Sequence, residues 1–122
     1  MYALYGHPEA GGFWEKHCEG KLLKAGFSRV KGRRSCFYHK KLKCFLVVYV
    51  DDFKMAGPEE NLPEAWKLLR SGIETDDPQP ATKYLGCSQT VSTVKRNGQE
   101  VRQVEYDMSD FFKSCVKAYL DL

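Results

Sequence analysis

The spacing of apolar residues changes along the chain, and each change marks an element. Phe13, Trp14, His17, Cys18, Lys21, Leu22, Leu23 and Ala25 follow a rough helical period. Pro8 and Glu9 suit helix entry, and Gly26 is placed to end the helix. Gly11-Gly12 fits this helix poorly, because each glycine costs about 1 kcal/mol against alanine. Either the helix begins near Phe13 or the backbone approaches a ligand closely there. Tyr2 to Gly6 reads as a short strand or loop entry. Phe27 to Val30 reads as a short strand and Lys31 to Arg34 as a turn. Ser35 to Lys40 and Lys43 to Val50 then form a hairpin around Lys40-Lys41. Phe53 to Ala56 returns as the arm of a second hairpin, and Gly57-Pro58 ends it. Glu59 to Ile73 is an amphipathic helix with Leu62, Ala65, Trp66, Leu69 and Ile73 on one face. Asp76 to Pro80 is a loop. Lys83 to Val94 and Gln99 to Glu105 are strands about an Asn97-Gly98 hairpin signal. A last helix starts at Asp107 to Asp110 and repeats Phe111, Phe112, Cys115, Val116, Tyr119 and Leu120 at helical spacing.

The order αβββαββα predicts an α+β fold, an antiparallel sheet with helices packed on one face. No repeat, low-complexity segment or internal domain boundary stands out. Many binding modules share this layering, so the fold class alone does not give a function.

The stretch Phe45-Leu46-Val47-Val48-Tyr49-Val50-Asp51-Asp52-Phe53 carries the chemistry. A β-branched apolar run ends in two adjacent carboxylates. Burying ionised carboxylates is costly, so the pair belongs at an exposed tip or on a cation. Hard oxygen donors on a rigid strand suit magnesium. Taken alone, the same residues also fit an ordinary polar hairpin turn.

Further segments narrow the reading. Tyr49-Val50-Asp51-Asp52 resembles the Tyr-x-Asp-Asp motif of reverse transcriptases. Ala3-Leu4-Tyr5-Gly6-His7-Pro8-Glu9-Ala10-Gly11-Gly12-Phe13-Trp14-Glu15 resembles the ALYGLKQAPRAWYE block of copia-type LTR retrotransposon polymerases. Gly26-Phe27-Ser28 follows at that family's usual interval, and Tyr84-Leu85-Gly86-Cys87 resembles its downstream yfLGi segment. The order of the segments matches the family, and they cover nearly the whole chain.

The resemblance implies a palm-like fold. Residues 1–122 would be part of a reverse transcriptase palm, and residues 107–122 would begin the connection to the thumb. It implies an RNA-directed DNA polymerase that uses two magnesium (or manganese) ions for in-line nucleotidyl transfer. Asp51 would be the principal metal ligand, with Asp52 supporting or sharing the site. Tyr49 and Val50 would shape the floor beneath the primer terminus. Glu9 would face the incoming nucleotide, and Leu85-Gly86 would lead to the grip on the primer strand. Implied partners are an RNA or DNA template with primer, deoxynucleoside triphosphates, and the rest of a polyprotein: upstream palm and fingers, downstream thumb and RNase H. The family needs a third aspartate upstream of the Leu-Tyr-Gly block, where this sequence has only Met1 and residues 2–3. The chain alone is therefore expected to be inactive, as a fragment or as a degenerate relic that binds nucleic acid or a protein.

The first block departs from the family pattern. Glu9 stands where glutamine is usual, His7-Pro8 replaces Leu-Lys, and Gly11-Gly12-Phe13 replaces Pro-Arg-Ala. These changes remove positive charge and add a negative one where a triphosphate would lie. As a residue by itself, Glu9 equally suits the first turn of a helix.

Charge adds a second candidate surface. The net charge is +3. Lys16 to Lys43 holds ten Lys/Arg and one acid, whereas Asp51 to Pro80 holds eight acids and three bases. Arg33, Arg34, Lys40 and Lys41 are candidate phosphate contacts, though such a run is also an ordinary solvated face. Tyr38 and His39 are interleaved there and could stack on bases, though aromatics at strand spacing are more often core. The five cysteines are odd in number and widely spaced, which points to free thiols rather than a disulfide framework or zinc knuckle. His7, His17 and His39 have no evident nucleophile partner. No apolar run is long enough to cross a bilayer and no signal pattern follows Met1, so a soluble intracellular protein is expected, with no membrane partner.

Overall fold

A computed structural model describes residues 6–122. Over these residues the fold is α+β, with three helices and two antiparallel sheets. The elements in order are α1 (Ala10–Lys24), β1 (Phe27–Val30), β2 (Arg33–His39), β3 (Cys44–Tyr49), β4 (Asp52–Ala56), α2 (Leu62–Arg70), β5 (Lys83–Tyr84), β6 (Cys87–Arg96), β7 (Gln99–Asp107) and α3 (Ser109–Leu120). The chain divides into two compact units between Pro78 and Gln79, inside the loop expected at Asp76 to Pro80. The sequence pattern had marked that loop but no boundary.

The first unit is a four-stranded antiparallel sheet in the order β1-β2-β3-β4. Strand β3 alternates strictly, with Cys44, Leu46 and Val48 buried and Phe45 and Tyr49 exposed. Phe37 is the partner of Leu46 and His39 of Cys44, so β2 turns the same face inward. Cys18 and Leu22 of α1, Ala65 and Leu69 of α2, and Ile73 cover that face. Both helices therefore lie on one side of the sheet. Fully burying a side chain such as Leu22 or Leu46 contributes about 1.5–3 kcal/mol.

Helix α1 starts at Ala10, close to the helix entry read at Pro8 and Glu9, so the alternative of a start near Phe13 is excluded. Gly11 and Gly12 lie in its first turn, and a Cβ at either would meet no atom within 4 Å. The helix ends as expected: Gly26 takes φ +94° and its N–H reaches Leu23 O at 3.1 Å. A Cβ on Gly26 would come within 2.7 Å of His39 Nε2. His39 is buried edge-on against the Phe27 ring, and its Nδ1 accepts the Leu42 N–H at 3.1 Å. Of the two readings open to His39, base stacking is excluded and core placement is observed, because it is the partner of buried Cys44 on the core face. Helix α2 is shorter than the expected Glu59 to Ile73. Its N-terminal Asn61 donates through Nδ2 to Leu42 O at 2.9 Å, tying the helix to the β2–β3 turn.

The second unit is a three-stranded sheet, β5-β6-β7, followed by α3. The expected strand Lys83 to Val94 is broken by a turn at Leu85-Gly86, which separates β5 from β6. With the expected short strand Phe27–Val30 counted as β1 and β5 separated from β6, the order becomes αββββαβββα. Asn97-Gly98 forms the expected hairpin, with φ of +52° and +77°, the type I′ signs. Helix α3 has the expected apolar spacing, yet none of its residues is buried. The strand or loop expected from Tyr2 lies, as far as Tyr5, outside the described residues.

Three expected outcomes follow from the packing and burial. Gly26→Ala combines an unfavourable φ with a clash against His39 and should cost about 1–3 kcal/mol in urea unfolding. Gly12→Ala, in open space within a helix, should instead stabilise by up to about 1 kcal/mol. Burial, with the Glu19 charge second, pushes the Cys18 thiol from 9.0 to about 11. Between those values the unfolded chain holds fewer protons than the folded one, so stability should fall as pH rises from about 9 to 11. Thermal unfolding against pH should show that decline weakened in Cys18→Ala.

Candidate functional site

The β3–β4 hairpin brings the carboxylates together with their neighbours. Tyr49 and Asp52 are cross-strand partners, so Val50 and Asp51 form a two-residue loop. Val50 has φ +51°, and Asp51 is not in the positive region. These signs are those of a type II′ turn, where glycine is the usual first residue. A β-branched residue held there costs on the order of 1–3 kcal/mol, so surrounding contacts must impose the conformation. One of them is visible. Trp14 Nε1 of α1 donates to Val50 O at 2.9 Å.

Tyr49, Val50, Asp51 and Asp52 are all exposed. The core face of β3 carries Cys44, Leu46 and Val48, so Phe45, Val47 and Tyr49 point to the open face. Asp52, as the partner of Tyr49, shares the open face, and Lys54, as the partner of Val47, does too. Asp51 projects from the loop itself. Two adjacent exposed carboxylates on a hairpin offer a hard oxygen donor set that fits magnesium or manganese. Among the described residues, no three His, Cys, Asp or Glu side chains converge as a ready metal cage. The pair could fill only some coordination positions, leaving the others for water or phosphate oxygens.

The remaining candidates divide by place. Strands β2 and β3 are antiparallel with Cys36 opposite Val47, so Arg33 and Arg34 lie at the end of the sheet that carries the Val50-Asp51 loop. Lys40 and Lys41 lie in the turn at the opposite end, roughly 20 Å away along β2. All four are exposed, but they do not form one cluster. Of these four candidate phosphate contacts, only the arginines lie at the aspartate end. Glu9 occupies the N-cap position of α1, one residue before the first turn, and makes no side-chain capping bond. Trp14 contacts Val50, so the N-terminal half of α1 lies at the aspartate end. Leu85 and Gly86 belong to the second unit. They form the β5–β6 loop with φ +49° and +77°, so Gly86 serves a tight turn.

Sequence reasoning missed the Trp14–Val50 bond, and it missed Phe45 as the cross-strand partner of Tyr38. Tyr38 and Phe45 form an exposed aromatic pair on the open face. The alternation of β3 carried the signal for Phe45, whereas no local pattern reports a contact across 36 positions. A cleft of about 520 Å³ lined by Pro63, Trp66, Lys67, Arg70, Ser71 and Pro78 does not include the aspartates. No helix among the described residues is long and apolar enough to cross a membrane. Comparison with protein-family models, curated proteins and solved structures gives no match to this chain.

The Leu85-Gly86 loop yields a test of its own. Leucine is disfavoured at φ +49°, and Asn-Gly is the preferred pair for this turn. Leu85→Asn should slow amide exchange at Tyr84 and Cys87, corresponding to about 1 kcal/mol of added local stability. Unchanged exchange would mean that the turn is held by other contacts.

Proposed function

We propose that the chain is part of an RNA-directed DNA polymerase of the copia-type retrotransposon kind, a palm segment whose Asp51 and Asp52 help to hold divalent ions. The observation that supports this most is the β3–β4 hairpin. It carries Tyr49-Val50-Asp51-Asp52 at an exposed tip, with α1 and α2 covering the opposite face of the sheet.

In this reading, Asp51 and Asp52 supply carboxylate oxygens to magnesium or manganese. The ions, when bound, stabilise charge on the attacking and leaving oxygens of the transferred phosphoryl group. Asp52 and Tyr49 share the open face, where a primer terminus would approach. Arg33 and Arg34, at the same end, attract template or primer phosphates. Glu9 also belongs to this end, and its negative charge opposes direct binding of a triphosphate. Leu85-Gly86 and α3 correspond to the primer grip and thumb connection. A deoxynucleoside triphosphate, a primed template and the other palm, fingers, thumb and RNase H segments would complete the enzyme.

A second reading is a non-catalytic palm relic that binds nucleic acid or a protein partner. It is favoured by Glu9, which sets a negative charge where the family carries an uncharged glutamine. Both readings agree that these 122 residues alone give no primer extension, and magnesium-dependent extension by the isolated chain would overturn that expectation.

Binding of a labelled primer–template, followed by fluorescence anisotropy over a salt series, tests the proposal. Affinity should fall steeply with salt, and Arg33→Ala with Arg34→Ala should reduce the slope by about two. Lys40→Ala with Lys41→Ala should change it less. Magnesium should strengthen binding in the parent chain and not in Asp51→Asn. Affinity that is independent of salt and of magnesium would sink the polymerase reading.

A further inference from the structure

We propose that Trp14 is a positioning residue for the Asp51–Asp52 pair, its indole N–H selecting one of the two orientations open to the Val50–Asp51 peptide. The inference rests on the reading of the pair as a dication site. It adds a named part on a different element, 36 residues earlier in the chain.

The geometry is specific. Trp14 lies at the start of the second turn of α1 and packs against the core. Its Nε1 donates to Val50 O at 2.9 Å. Indole offers a single donor and no acceptor, so this one bond exhausts its polar capacity. The accepting carbonyl belongs to the middle peptide of the two-residue loop. Flipping that peptide would convert the type II′ turn to type I′ and would require positive φ at Asp51 as well as Val50. Because the peptide is planar, the flip would reverse the Val50 carbonyl and redirect the Asp51 N–H together. It would leave the Asp51 Cα and Cβ nearly in place but change the φ on which the rotamers of the Asp51 carboxylate depend.

Local sequence does not favour the observed orientation. Type II′ prefers glycine where Val50 stands, and type I′ prefers Asn-Gly or Asp-Gly. Val50-Asp51 fits neither preference, so a contact from outside the loop has to choose. The Trp14 bond exists in only one of the two orientations. It acts on the carboxylates through the backbone and touches neither of them, which makes Trp14 an outer partner of the site.

The test uses the 122-residue chain, Mn²⁺ as the probe, and Trp14→Phe, which keeps an aromatic ring and removes the donor. The Asp51 and Asp52 backbone amide signals should move in Trp14→Phe, and Mn²⁺ affinity should weaken about tenfold. Adding Val50→Gly to that variant should restore most of the affinity, because glycine favours the type II′ turn without help. A role in packing alone would not be rescued by a change at position 50. Unmoved amide signals with unchanged Mn²⁺ affinity, or a failure of Val50→Gly to rescue, would overturn the proposal.

Should Trp14→Phe fail to fold, the parent chain still decides. The Trp14 indole N–H signal should respond to Mg²⁺, and this response should vanish in Asp51→Asn. An indole signal indifferent to Mg²⁺, in a chain that binds it, would overturn the coupling. Failure of the dication reading itself would look different: the parent chain would bind no Mn²⁺, while Trp14→Phe would still displace the Asp51 and Asp52 amides. That result would remove the metal role of the tether while leaving its hold on the turn.

Discussion

The burial of one face of β3 is the constraint on which the first unit depends. Cys44, Leu46 and Val48 lie beneath the two helices, while Phe45 and Tyr49 lie outside. The side-chain period of a strand is two, so a slip of one residue would expel Leu46 and bury Tyr49. The apolar cost of that exchange holds the register of β2 and β4 against β3. The same register pairs Tyr49 with Asp52 and leaves only Val50 and Asp51 for the loop. Packing on one face thus determines where the carboxylates emerge on the other.

Contacts from the helical layer hold both ends of this hairpin region. At the far end His39, Leu42 and Asn61 link the β2–β3 turn to the start of α2. At the near end Trp14 of α1 reaches the Val50 carbonyl. A strained loop persists when its surroundings over-determine it, and Val50 is such a case. The second unit is built differently. A long β6–β7 ladder joined through Asn97-Gly98 organises it, and no residue of α3 is buried.

Much of this was legible in the sequence because the signals were local. The β-branched run before Asp51 identified β3 and its acidic tip. Gly26 marked the end of α1, and Asn97-Gly98 marked a type I′ hairpin. The losses have physical causes. Gly11 and Gly12 argued against helix, but the first turn tolerates them where no side chain is needed for packing. Leu85 gives no hint of a left-handed conformation, and only its neighbour Gly86 could have suggested the turn. A run of Lys and Arg around His39 left a base-stacking surface open beside the core reading, and strand alternation decides for the core by sending it inward against Phe27. Lys40 and Lys41 follow Arg33 and Arg34 closely in sequence, but an extended strand separates them in space.

In the proposed polymerase segment, a buried strand face, a loop conformation and a distant indole converge on two carboxylates. The claim common to all of it is that Asp51 and Asp52 act together on one hard dication. Anomalous diffraction from crystals soaked in Mn²⁺ tests this most directly. The account predicts a peak roughly 2.0–2.2 Å from oxygen atoms of both carboxylates. A peak on neither residue, or the two carboxylates directed to separate sites, would contradict it.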